Sequence, residues 1–239
     1  MGRSLEVDRK LDLFPYSITH LYNDGSLSDS YHSSLSKIHR MNHTIFDTPV
    51  VNSLMRYLSL AILRLSGWKA EGQAPSEAKY VLIAAPHTSN WDFPFTLMIC
   101  FALRLNVYWM GKASLFPPGL GIIARWLGGI PVNRTSSGNL VQSTIDAFHQ
   151  NDKLAVIVPP EGTRGNVTHW KTGFYHIAHG AGVPVALGFL DFKRKAGGIG
   201  QLFYTTGDLT NDMQLIQTFY ANITGKNHRQ FDSETIKIK

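Results

Sequence analysis

The sequence predicts an α/β fold: a single domain with a mixed, mostly parallel sheet flanked by helices and an amphipathic helix at its N-terminal side. Three observations carry that expectation. Strand-like and helix-like segments alternate from Lys79 to the end of the chain. The run "KYVLIAAP" reads as a strand buried on both faces. With 239 residues, 44% of them apolar, the chain is long enough to bury a sizeable core and is not composed like a disordered one.

The elements follow in order. Residues 1–48 are rich in Ser, His and Asp ("NDGSLSDSYHSSLSKIHR") with no sustained periodicity, and are expected to form a poorly ordered extension before a domain at 49–239. Met41, just ahead of the first convincing helix, is a candidate native start. That helix covers 49–68, "PVVNSLMRYLSLAILRLSGW", where Val51, Leu54, Met55, Leu58, Ile62 and Leu65 recur at helical spacing. Asn52, Ser53, Arg56, Ser59 and Arg64 lie opposite, together with Leu60 and Leu63, so the apolar surface is wider than one stripe. The pattern fits a helix packed on the core or a basic amphipathic helix in a lipid headgroup layer. Strand "KYVLIAAP" is followed by helix "FTLMICFALRL", strand "NVYWMGK", helix "GLGIIARWLGG" and short strand "IPVNR". Helix "NLVQSTIDAFHQ", strand "KLAVIVPP", helix "GFYHIAHGAG", strands "VPVALGFLDF" and "GQLFYTTGDL", and a closing helix "MQLIQTFYANIT" complete the series.

Composition narrows the function classes. A formal net charge of +6 and a pI near 9.4 favour anionic partners: phosphate esters, anionic lipid or nucleic acid. Nucleic-acid binding would call for a basic stripe with exposed aromatics, and Lys and Arg are scattered instead. The single cysteine, Cys100, lies in the apolar stretch "FTLMICFAL" and reads as a small buried hydrophobe; an internal disulfide or Cys-based zinc site is excluded. No bound metal is expected, since His39 and His43 have no third ligand nearby and His176 and His179 have no partners in sequence. No signal peptide, myristoylation pattern or uncharged apolar run of spanning length is evident.

Two segments carry chemistry. In "APHTSNWDFPF", His87 and Asp92 lie five positions apart where a strand ends and a helix begins. Ser89-x-x-Asp92 has the form of a capping box, but Pro94 argues for a helix starting at Asp92 itself. In both registers His87 is in the loop, and a first-turn Asp leans back toward it. Such an Asp fixes the imidazole tautomer and leaves the other nitrogen free to take a proton from a hydroxyl; taken without further motifs, the two residues read first as a helix cap beside a loop histidine. Ser89 lacks the G-x-S-x-G context of a nucleophile. In "VPPEGTRG", Gly162 allows close backbone approach and Arg164 can fork onto a phosphate or carboxylate. Glu161 orders the loop through a nearby donor or holds a substrate hydroxyl. Arg134 and Lys112 add positive charge after other expected strands, whose ends converge on one crevice in an open α/β sheet. "GLGIIA" matches a dinucleotide pattern but follows "FPP" rather than a strand, and is discounted.

Taken together, "HTSNWD", "GKASLFPPGLGIIARWLGGIPVNR", "PEGTR" and "GVPVALGF", in that order over roughly residues 81–191, resemble the four blocks of the glycerolipid (lysophosphatidate/glycerol-3-phosphate-type) acyltransferase family. The resemblance implies a general base at His87, an orienting partner at Asp92, an acceptor-phosphate ligand at Arg134 and acceptor binding by Glu161, Gly162 and Arg164. Pro86, Gly165 and Leu187 depart from the residues common in those blocks, which bears on acceptor identity. It further implies an O-acyltransferase of phospholipid biosynthesis or remodelling. No cofactor is implied beyond acyl-CoA or acyl-carrier protein as co-substrate. The implied acceptor is a lysophospholipid such as lysophosphatidate, with glycerol-3-phosphate or another lipid alcohol, or a non-catalytic lipid-binding role, as alternatives. For helix 49–68 it favours the membrane-interface reading, and for the protein a peripheral place on the cytoplasmic side of a membrane, with no nucleic-acid partner.

Overall fold

The computed structural model describes residues 43–132, 137–165, 167, 169–227 and 237–238. A seven-stranded sheet forms its centre, from β1 (Lys69–Glu71), β2 (Lys79–Ala85), β3 (Tyr108–Lys112), β4 (Gly129–Val132), β5 (Leu154–Val158), β7 (Val185–Asp191) and β8 (Ala196–Phe203). Its order is β1-β8-β7-β2-β5-β3-β4. All neighbours run parallel except β7 and β8, which are antiparallel. The expected mixed, mostly parallel sheet is therefore present. A separate two-residue pairing joins β6 (His169–Trp170) to β9 (Lys237–Ile238).

Helices cover both faces. On one lie α4 (Ser137–Gln150), α5 (Gly173–Ala181) and α6 (Leu209–Tyr220), packed on Val81, Ile83 and Val156 through Phe148, Phe174 and Met213. On the other, α2 (Asp92–Leu103) covers Tyr80, Leu82 and Ile157 with Cys100 and Phe101. Alternate residues of β2 thus feed two cores, the reason its sequence is apolar throughout. The remaining helix of this chain order, α3 (Leu120–Trp126), lies between β3 and β4.

The first helix, α1 (Pro49–Leu65), packs on α2 and supplies a correction. Its inward face is the more polar one. Ser59 is 1% exposed, Asn52 donates to the Phe46 carbonyl at 2.6 Å, and Arg56 Nε donates to the Ala102 carbonyl at 3.4 Å. Val51, Met55 and Leu63 complete that face. Leu54, Tyr57, Leu58 and Leu65 point outward, Leu65 being 88% exposed. The six apolar positions expected on one stripe divide: Val51 and Met55 turn inward and Leu54, Leu58, Ile62 and Leu65 outward, while Arg56 meets a carbonyl at the C-terminal end of α2, where carbonyls need donors.

Two smaller differences concern boundaries. The packed domain starts before Pro49: Ile45 and Phe46 are buried, and the Phe46 and Phe101 rings lie 4.9 Å apart. Met41, and the rest of the extension up to residue 42, lie outside the described residues. The strand expected at 200–209 runs from Ala196 to Phe203 instead, since its glycine-rich start pairs with β1 and β7. Among the described residues no helix is long and apolar enough to cross a membrane.

Candidate active site

The chain leaves β2 at Ala85, passes through a cis Ala85–Pro86 peptide, and enters the 87–91 loop before α2. The helix begins at Asp92, the second of the two registers that the sequence allows, which places Pro94 in its first turn. Asp92 is buried and its Oδ2 gathers three donors: the amides of Thr88 at 2.7 Å and Ser89 at 2.8 Å, and His87 Nδ1 at 3.1 Å. The carboxylate therefore shapes the loop and orients the imidazole at once. With Nδ1 donating to the carboxylate, Nε2 is left as the basic nitrogen. Asp92 Oδ1 is buried with no partner among the described residues.

The "PEGTR" loop leaves β5, the immediate neighbour of β2, so its register brings the two loops together. Glu161 is 8% exposed and its Oε1 accepts the backbone N–H of His87 at 3.0 Å. Of the two roles open to Glu161, the structure shows loop ordering; its carboxylate lies beneath the site and does not line the cavity described below. Burial pushes the Glu161 carboxyl up to about 7. Gly162 follows at φ +65, a conformation that favours glycine, and a Cβ there would fall 3.0 Å from the Lys171 side chain.

His87, Asn90, Gly162, Thr163 and Arg164 sit at one cavity of about 770 Å³. It runs from the strand ends between the sheet and α2, past Leu82, Phe93, Cys100, Trp109, Ile157 and Ile199. Trp109 is held by its indole N–H to the Leu127 carbonyl at 2.9 Å and contacts Phe93 edge-on at 4.9 Å. Cys100 belongs to this apolar wall; burial pushes its thiol up to about 12, which rules out a thiolate nucleophile at neutral pH. At the rim, Leu115, Leu120 and Ile123 are exposed.

The remaining sequence candidates fall as follows. Arg164 is exposed and lines the cavity. Lys112 ends β3 and is exposed, but does not line it. Arg134 lies outside the described residues. Lys171, which the sequence reading missed, lines the cavity beside Gly162; no motif marks it, and the Lys171 N–H to Pro160 carbonyl bond at 2.8 Å that brings it there is a tertiary turn. The apolar wall was missed as well, although a helix apolar on every side, as "FTLMICFAL" is, signals more neighbours than a sheet alone. His176 and His179 are exposed on α5, and His179 Nδ1 meets Thr205 Oγ1 at 3.0 Å. Among the described residues no group of three His, Cys, Asp or Glu side chains could hold a metal.

Comparison with known proteins agrees with this picture. The family model described as Acyltransferase matches residues 68–186. The 1-acyl-sn-glycerol-3-phosphate acyltransferase of Haemophilus influenzae is 30% identical over 131 residues, 51% of this chain and 53% of that protein, so the match spans about half the relative's length. The crystal structure of the 1-acyl-sn-glycerophosphate (LPA) acyltransferase PlsC from Thermotoga maritima superimposes with a TM-score of 0.51 at 15% identity, covering 82% of this chain and 91% of that one. At that identity the likeness is one of fold.

Proposed function

The chain carries a domain of the acyltransferase family over residues 68–186, and from that premise we propose that it transfers a fatty acyl chain from an acyl thioester to the hydroxyl of a glycerol-phosphate lipid, with lysophosphatidate as the first acceptor to test. The observation that carries the reading is the His87 Nδ1 to Asp92 Oδ2 contact of 3.1 Å at the mouth of a deep apolar cavity. A base alone would suit many hydrolases; a base opening onto some 770 Å³ lined by Leu, Ile, Phe and Trp suits a substrate with a long alkyl chain.

In this reading His87 Nε2 takes the proton of the acceptor hydroxyl as its oxygen attacks the thioester carbonyl. The tetrahedral intermediate collapses, the C–S bond breaks, and the thiolate takes the proton back from the imidazolium. Asp92 stabilises the imidazolium formed in between and keeps the neutral ring in one tautomer. General-base assistance of this kind is typically worth ~10²–10⁴-fold. Arg164 and Lys171 hold the acceptor phosphate at the rim, which positions the hydroxyl. Arg134 is proposed for the same phosphate on the strength of the family resemblance alone.

Both substrates are amphiphiles, and the outward apolar face of α1 fits a lipid interface: Leu54, Tyr57, Leu58 and Leu65 form one stripe exposed to the surroundings. We place the protein peripherally on a membrane surface, its cytoplasmic side being the part of the proposal that rests on the family resemblance. Incubating the full chain with palmitoyl-CoA or palmitoyl-acyl-carrier protein and a panel of lysophospholipids, glycerol-3-phosphate and neutral lipid alcohols, with mass spectrometry of the products, tests the reading. A diacyl glycerophosphate product supports it; lipid binding with no acylated product from any pair overturns it.

A further inference from the structure

A second cleft, of about 420 Å³, lies on the opposite flank of the 87–91 loop from Arg164 and Lys171. Arg164 follows β5, on one side of β2; Phe192 and Lys193 follow β7, on the other. Trp68, Trp91, Phe95 and Phe192 form its aromatic wall. Trp68 packs on Phe95 at 4.2 Å and on Phe192 at 4.9 Å, so three of the rings are fixed by one another. Trp91 is 58% exposed.

Lys193, Lys195 and Lys226 supply the charge. Lys226 Nζ stands 5.5 Å from the Phe192 ring and 5.8 Å from that of Trp91. No carboxylate lines the cleft. Asp191, next in the chain, is turned inward and accepts the amides of Lys193 and Arg194 at 3.1 and 3.2 Å, while Glu71 is taken by Arg194 at 2.9 Å. Among the described residues none of the three lysines pairs with an acid. Lys195 Nζ also donates to the Ser66 carbonyl at 3.2 Å. Three lysines and an exposed indole lining one concavity favour a ligand that has several negative charges and a flat ring system.

The cleft is joined to the catalytic loop. Trp91 is four residues from His87, no more than about 14 Å along extended chain. Next to Lys226, Asn227 Nδ2 donates to the Thr88 carbonyl at 2.6 Å, and a Cβ on the cleft-lining Gly225 would fall 2.6 Å from Thr88 Cγ2. The acceptor phosphate already has cations on the other flank. The second substrate of the reaction is the thioester donor, and CoA carries an adenine and three phosphates on a flexible arm ending in the thiol.

We propose that this cleft holds the phosphorylated nucleotide end of acyl-CoA, with the adenine against Trp91 and the phosphates among Lys193, Lys195 and Lys226. The assignment rests on the acyl-thioester reading above and makes the donor acyl-CoA. A concavity of this size fits a nucleotide; a carrier protein would dock on a broader surface.

The test is equilibrium binding of CoA itself to the full chain, followed by calorimetry, with no acyl group or acceptor present. The Lys193→Ala/Lys226→Ala double variant, checked by thermal melting for an unchanged fold, is expected to bind CoA at least tenfold more weakly. Dephospho-CoA is expected to bind the wild type more weakly than CoA. In turnover the double variant should raise the KM for palmitoyl-CoA and leave that for lysophosphatidate unchanged. Unchanged CoA affinity in the double variant overturns the assignment, as does transfer from acyl-carrier protein by a wild type that binds no CoA. Loss of binding to phosphatidylglycerol vesicles with CoA affinity intact overturns it in favour of a lipid headgroup. Lysine-dependent CoA binding without transfer to any acceptor would sink the acyl-transfer reading and leave the cleft standing.

Discussion

The backbone amide of His87 donates to Glu161 Oε1 at 3.0 Å, across 74 positions of sequence. One buried carboxyl thereby fixes the loop after β2 to the loop after β5, and with it the distance between the proposed base and the cavity-lining Gly162 and Arg164. Glu161 ionises near 4.5 when unfolded and, because burial disfavours its charge, at about 7 when folded. Between those values the native protein keeps a proton that the unfolded chain has released. The contribution is full below pH 4.5 and is lost as pH rises through about 7, a swing on the order of 3 kcal/mol. Glu161→Gln keeps the acceptor oxygen and removes the titration. The difference in Tm, variant minus wild type, should become more positive from pH 5 to pH 8; a constant difference across that range would refute the buried ionisation.

His87→Ala should abolish transfer with an unchanged circular-dichroism spectrum. Asp92→Asn should lower kcat on the order of 10²–10⁴-fold, since an amide nitrogen facing Nδ1 selects the wrong tautomer. Single-turnover measurement with radiolabelled palmitoyl thioester reads both. Near wild-type rates in the His87 variant would end the base assignment.

Cys100 sits in the apolar cavity wall on α2. Cys100→Phe adds bulk there and should shift preference toward shorter acyl chains, read as the ratio of kcat/KM for decanoyl to palmitoyl donors. A stability loss of about 1–3 kcal/mol from overpacking is expected alongside and leaves the ratio readable. An unaltered ratio would mean that the chain binds elsewhere.

Lys171→Ala should raise the KM for a phosphorylated acceptor about tenfold, with kcat changed little, because a phosphate contact made equally in ground and transition states is lost. Arg164→Ala should do the same and more, a forked guanidinium making two bonds where an ammonium makes one. An effect confined to kcat would contradict phosphate binding.

On α1, Leu54→Asp with Leu58→Asp places two charges on the outward stripe, away from the α2 contact. Sedimentation with anionic liposomes should show binding at least tenfold weaker, while the melting curve stays in place. Undiminished liposome binding would exclude this face as the anchor.

Much of the architecture was legible in local pattern. Period and breaker residues mark α2, β2, β5 and most of their neighbours, since side-chain periodicity follows directly from backbone geometry. Spacing allowed His87 and Asp92 to meet, because a first-turn aspartate leans back toward the loop before it, but a helix cap beside a loop histidine fitted the same residues until the later blocks were read with them. Other features have no local signature. Which residues of α1 turn inward follows from its packing against α2, where Val51, Met55 and Leu63 pack alongside the buried Ser59 and Arg56 meets the Ala102 carbonyl. The carboxyl of Glu161 beneath His87, Lys171 at the rim, the aromatic cleft beside Trp91 and the cavity under Cys100 each join segments distant along the chain. Only strand order, set by the packing of both faces of the sheet, brings them within bonding distance.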